Sequence, residues 1–106
     1  MKRVWPLLCC LFAGLARAGV EARDDSPRLV RLPAAAQRIV SLAPHATELM
    51  FAAGAGDRLI AADEFSDFPS AAKALPRIGR AGALDVERIV ALKPDLVIAW
   101  GSGNVP

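Results

Sequence analysis

The chain has 106 residues, 54% of them hydrophobic, with 13 basic residues against 11 acidic ones. That length bounds one small domain. A formal net charge of +2 gives no support to nucleic-acid binding.

Lys2 and Arg3 give a positive start, and residues 4–16 are an apolar stretch. Ala16-Arg17-Ala18 then supplies a small-x-small cleavage site, so residues 1–18 are expected to be a secretory signal peptide. The stretch is shorter than the roughly 20 residues that a membrane span needs; an uncleaved anchor is the alternative. Cleavage would remove Cys9, Cys10 and Trp5, leaving no cysteine to form a disulfide in an oxidising compartment. It would also remove three basic residues, leaving 10 against 11 acids. The pI of about 8.8 therefore describes the precursor.

Residues 19–27 (GVEARDDSP) are expected to form a flexible lead-in. Leu29, Val30 and Leu32 around Arg28 and Arg31 suggest a short edge strand, which opens a domain running over 28–106. Residues 38–42 (RIVSL) predict the first core strand. Pro44 suits a helix entry, and Ala46, Leu49, Met50 and Ala53 fall at helical spacing. Gly54 and Gly56 stop that helix. Residues 58–62 (RLIAA) predict a second strand, 63–69 (DEFSDFP) a loop, 70–75 a helical turn and 77–78 a minimal strand. Residues 79–84, with two glycines, read as a loop. Asp85 is an N-cap candidate for a helix with Val86, Ile89, Val90 and Leu92 on its apolar face. Residues 95–100 (DLVIAW) predict a last strand buried on both faces. Strands alternating with helices predict an α/β fold with a parallel sheet.

In such a sheet, ligands bind beyond the carboxyl ends of the strands. The segments leaving those ends carry Pro44 and His45, Phe65 and Ser66, and Trp100 and Gly101, the candidate ligand-contact residues. Phe65, Phe68 and Trp100 offer flat apolar surface, or read as core. Gly101 and Gly103 would let backbone approach a bulky ligand. One histidine, no mature cysteine and no Gly-x-Ser-x-Gly give catalysis little support, and a lone His45 makes no metal site. Glu48 reads as a helix-dipole partner.

The segments RIVSLAPHATELMFAAGAGDRL, DFPSAAKALPRIG and LDVERIVALKPDLVIAW resemble the N-terminal lobe of the helical-backbone periplasmic solute-binding proteins, which deliver cobalamin, haem and ferric siderophores to ABC importers. The resemblance covers about residues 27–104. It implies two α/β lobes joined by a long helix, with the ligand between them. This chain is then expected to be a fragment holding the first lobe. The EFSDFP loop and the ending ERIVALKPDLVIAWGSGN are most similar to the cobalamin-binding members, so a corrinoid is the expected cargo, with no cofactor besides it. The resemblance makes Phe65 and Trp100 cleft residues. It puts Ala81 where those members have a second cleft Trp. His45 stands where they have Ala, either as an axial ligand to a haem iron or cobalt or as a polar residue at a helix start. Glu87 matches the acid that docks on arginines of the permease.

Haem is the nearest alternative cargo, although the chain has no Tyr. A siderophore is weaker still, with Arg80 the one basic residue in a candidate loop. Outside this class stand a small periplasmic enzyme using His45 with Glu48 or Asp67, and a non-functional fragment.

Overall fold

The computed structural model describes residues 19–26 and 28–101. The expected signal segment, Ser102, Gly103 and Asn104 lie outside the described residues. The chain divides into two units between Ala35 and Ala36.

The first unit holds an antiparallel hairpin of β1 (Val20–Arg23) and β2 (Leu29–Leu32), in register Val20↔Leu32 to Arg23↔Leu29. The flexible lead-in expected over 19–27 is thus corrected in part: four of its residues are a strand. The Asp24 carboxylate accepts the Ser26 N–H at 2.9 Å, an Asx turn that favours chain reversal. Across the hairpin, Arg31 pairs with Glu21 at 3.2 Å. Both side chains are exposed, so the pair adds little stability.

The second unit is built on three parallel strands, β3 (Ile39–Ser41), β4 (Leu59–Ala62) and β7 (Leu96–Ile98), in the order β4-β3-β7. Arg77 adds a parallel bridge to Ala62 on the far side of β4. The expected parallel α/β class is what the chain adopts. Between β3 and β4 runs α1 (Pro44–Ala52), followed by a 3-10 turn over Gly56–Arg58. A second 3-10 segment covers Ser70–Ala74. The residues expected as a plain loop over 79–84 form a small hairpin, β5 (Gly79–Arg80) with β6 (Ala83–Leu84). Helix α2 (Val86–Ala91) follows, with the Asp85 carboxylate accepting the Arg88 N–H at 3.0 Å as the expected N-cap.

Val40, Ala61 and Ile78 are fully buried and form the centre of the core, with Leu42, Ile60, Leu84, Ile89 and Leu92 packed around them. Removal of such apolar area from water contributes about 25 cal/mol per Å2. Three expected faces shift. Helix α1 buries Ala46 and Thr47 while Leu49 is exposed; Thr47 can point inward because its hydroxyl finds acceptors there. Helix α2 packs through Ile89 and Leu92 and leaves Val86 and Val90 exposed, since so short a helix buries only a narrow stripe. Strand β7 is not buried on both faces: Val97 is 42% exposed, because among the described residues β7 pairs only with β3.

At the amino end of the sheet, the Asp95 carboxylate accepts the backbone N–H of Gln37 at 2.8 Å and of Arg38 at 2.9 Å. The Arg38 guanidinium in turn donates to the carbonyls of Leu92 and Lys93, where α2 ends. This clasp fixes β7 against β3 in the register Ile39↔Leu96, Val40↔Val97, Ser41↔Ile98. A slip of one residue would turn every side chain of β7 to the other face.

Candidate ligand cleft

The chain runs outward from β3 to β4, then crosses back to place β7 on the other side of β3. That reversal is a topological switch point, and the crevice beyond its carboxyl ends is where open α/β sheets bind ligands. A recess of about 140 Å3 lies there. Leu42, Ala43 and Pro44 line it from the exit of β3, Asp63 and Phe65 from the exit of β4, Arg80 and Ala81 from the small hairpin, and Trp100 from the exit of β7.

Two aromatic rings are held open at this crevice. Phe65 is 57% exposed and Trp100 51% exposed. Rings of this size normally gain by burial, so their exposure makes them candidate contact residues. His45, the second residue of α1, is exposed; its ring lies 5.0 Å from Trp100, centroid to centroid, at 85°. It stands beside the cleft wall and not among the residues that line the recess.

The loop that carries Phe65 is pinned from inside. Asp63 is 2% exposed, and its carboxylate accepts the Phe65 N–H at 3.1 Å and the Ser66 hydroxyl. The Ser66 and Thr47 hydroxyls are 2.7 Å apart. Thr47 also donates to the Ser41 hydroxyl at 2.9 Å, and Ser41 donates to the Ala43 carbonyl at 3.1 Å. From the other side the Arg77 guanidinium donates to the carbonyls of Asp63 and Ser66 at 2.8 and 2.7 Å. Among the described residues no buried side-chain nitrogen or oxygen lacks a partner. A satisfied buried network of this kind rigidifies what it holds.

The structure therefore brings Pro44, Phe65 and Trp100 together, with His45 on Trp100. It corrects one expected contact residue. Ser66 is 1% exposed and acts as a support for the loop. Gly101 is exposed, and a Cβ there would meet open space within the protein. Phe68 is exposed and outside the recess. Glycine is required at Gly79, where φ is 97° and a Cβ would strike the Ala83 carbonyl oxygen. Sequence reasoning also missed Asp63 as an organiser; the signal was an acid two residues before the N–H it caps, the spacing of an Asx turn. Among the described residues no group of three His, Cys, Asp or Glu side chains could hold a metal ion. No helix there is long and apolar enough to cross a membrane.

A family model described as periplasmic binding protein matches residues 39–104, and the chain belongs to that family. It is 51% identical over 81 residues to the vitamin B12-binding protein of Vibrio cholerae serotype O1, covering 76% of this chain and 29% of that relative. Among solved structures it resembles the periplasmic vitamin B12-binding protein BtuF of Vibrio cholerae, with a TM-score of 0.64 and 54% identity over 67% of this chain and 28% of that one. It also resembles the apo periplasmic haem-binding protein RhuT of Roseiflexus sp. RS-1, with a TM-score of 0.61 and 38% identity over 66% and 27%. The chain thus spans under a third of the length of the relatives it matches.

Proposed function

We propose that this chain supplies one wall of a periplasmic cleft that captures a corrinoid, as the vitamin B12-binding relatives are named for doing, and presents it to an inner-membrane ABC permease. The observation that carries the reading is the pair of half-exposed rings, Phe65 and Trp100, opening from two strand ends onto one apolar recess. Flat rings on a rigid wall suit the face or edge of a flat macrocycle, which binds without any chemical step. Complete ligand pockets span about 300–1,000 Å3, so a recess of about 140 Å3 holds only part of such a ligand and needs a second wall. Residues 1–18 would export the chain and then be removed. Glu87, exposed in the first turn of α2, would meet the permease.

Haem is the second reading, favoured by the resemblance to RhuT. The test is a titration of the secreted chain with cyanocobalamin, with haem in parallel, following the fluorescence of Trp100, the one Trp beyond residue 18. The expected result is saturable quenching by the corrinoid after correction for its absorbance, with calorimetry showing affinity lost in Trp100→Ala. Saturation by haem alone would replace the corrinoid with haem. Binding of neither, by a chain whose circular dichroism shows it folded, would overturn the reading.

A further inference from the structure

Arg80 is the one cation lining the recess, which is otherwise apolar apart from Asp63. Its backbone is fixed. Arg80 pairs with Ala83 across the small hairpin, and the Gly79 carbonyl accepts the Glu64 N–H at 2.6 Å, tying that hairpin to the loop that carries Phe65. Its guanidinium, however, has no hydrogen bond or ion pair among the described residues. Four other arginines are occupied: Arg28, Arg31 and Arg77 face carboxylates, and Arg38 holds the end of α2; of the arginines left without such a partner among the described residues, Arg80 is the one that lines the recess. Asp63, the acid of the recess, makes no ion pair with Arg80. It is buried, and its carboxylate is held by Phe65 and Ser66.

A guanidinium is a planar fork of donors that matches the oxygens of a phosphate or carboxylate and stacks on aromatic faces. Set without a counter-ion beside two exposed rings, it selects a ligand that is flat and apolar over most of its area and carries an oxyanion at its rim. We infer that Arg80 is the residue of this cleft that holds the ligand's oxyanion. On the corrinoid reading, on which this inference rests, that group is the phosphodiester of the nucleotide loop. A haem would present propionate carboxylates to the same fork.

The experiment measures binding by the secreted chain and by its Arg80→Gln variant, which keeps the length and removes the charge. The probes are cyanocobalamin, dicyanocobinamide (a corrinoid lacking the phosphodiester), haem and haem dimethyl ester. The Arg80 side chain has no partner among the described residues, so the variant's circular dichroism should match the parent's. The expected result is a roughly 10- to 100-fold loss for cyanocobalamin, the range of a charge-assisted hydrogen bond, with dicyanocobinamide unchanged within about twofold and part of the loss recovered in Arg80→Lys. Equal effects on both corrinoids, or none, would overturn the inference and leave the corrinoid reading standing. A loss for haem but not for its dimethyl ester, with no corrinoid bound, would keep Arg80 as the oxyanion holder and remove the corrinoid. Failure of the folded parent to bind any of the four would remove both.

Discussion

The His45 and Trp100 rings meet edge to face, with centroids 5.0 Å apart and planes at 85°. They come from opposite ends of the described unit, one from the start of α1 and one from the exit of β7, and meet because β7 lies beside β3. Aromatic pairs in this geometry contribute about 0.5–1.5 kcal/mol beyond the area they bury. His45 therefore braces Trp100 in the pose that shapes the cleft wall. Replacing His45 with Ala should change the emission maximum and anisotropy of Trp100 and weaken cyanocobalamin binding about two- to tenfold, in line with that energy. Replacing His45 with Phe should recover most of the affinity. Loss of binding in both variants would instead make the imidazole a direct ligand.

Phe65 depends on hydroxyls that never reach the cleft. In Ser66→Ala the Asp63 carboxylate would lose one partner, and the 2.7 Å contact to Thr47 would go with it. Leaving a buried polar group short of a partner costs about 1–3 kcal/mol. Denaturant unfolding should show a loss of that size in Ser66→Ala and a comparable one in Thr47→Val. Neither residue lines the recess, so any loss of ligand affinity should be smaller than that of Phe65→Ala. Unchanged stability in both variants would show that the network does not hold the loop.

The parallel α/β class and the strand positions were legible because apolar runs of three or four residues alternate with helical spacing. Trp100 and Phe65 stood out as large rings directly after strand residues. The caps were legible too, since Asp85 precedes an apolar run. The inward role of Thr47 was not. Its burial depends on Ser41, Ala43 and Ser66, brought together only by the tertiary fold. Periodicity weighs Leu49 above Thr47 and so rotates the buried face of α1. Ser66 was misread for the same reason: a polar residue beside Phe65 looks like a contact until its hydroxyl is seen to point into the core. Val97 shows the reverse limit, because an apolar run does not reveal that a strand pairs on only one side among the described residues.

Asp95 gives a pH dependence at the other end of the sheet. The N–H groups of Gln37, first, and of Arg38 hold its carboxyl below the usual carboxylate range. The folded state therefore binds this proton more weakly than the unfolded state. Its stabilisation is fully present above the unfolded carboxylate pKa of about 3.9 and disappears as the pH falls through the lower folded value. Asp95→Asn should lower the urea midpoint at pH 7, and the difference from the parent should shrink as the pH falls below about 4. The same variant should disturb Trp100 emission, because the clasp sets the register of β7. A gap between variant and parent that stays constant from pH 7 to acid would sink this account.

The proposed docking role of Glu87 can be tested apart from ligand capture. It is exposed in the first turn of α2, while Ile89 and Leu92 of the same segment pack on the core. It does not line the recess. A surface carboxylate facing arginines steers docking and fixes its register more than it adds affinity. Glu87→Lys would place a positive charge against positive charge at that contact. In the proposed role, the variant should bind cyanocobalamin as the parent does, yet support corrinoid uptake by cells about tenfold less well, with Glu87→Gln between the two. The deficit should narrow at higher ionic strength in reconstituted vesicles, where exposed charges are screened over about 10 Å or less. Full uptake with Glu87→Lys would place the permease contact elsewhere on the protein.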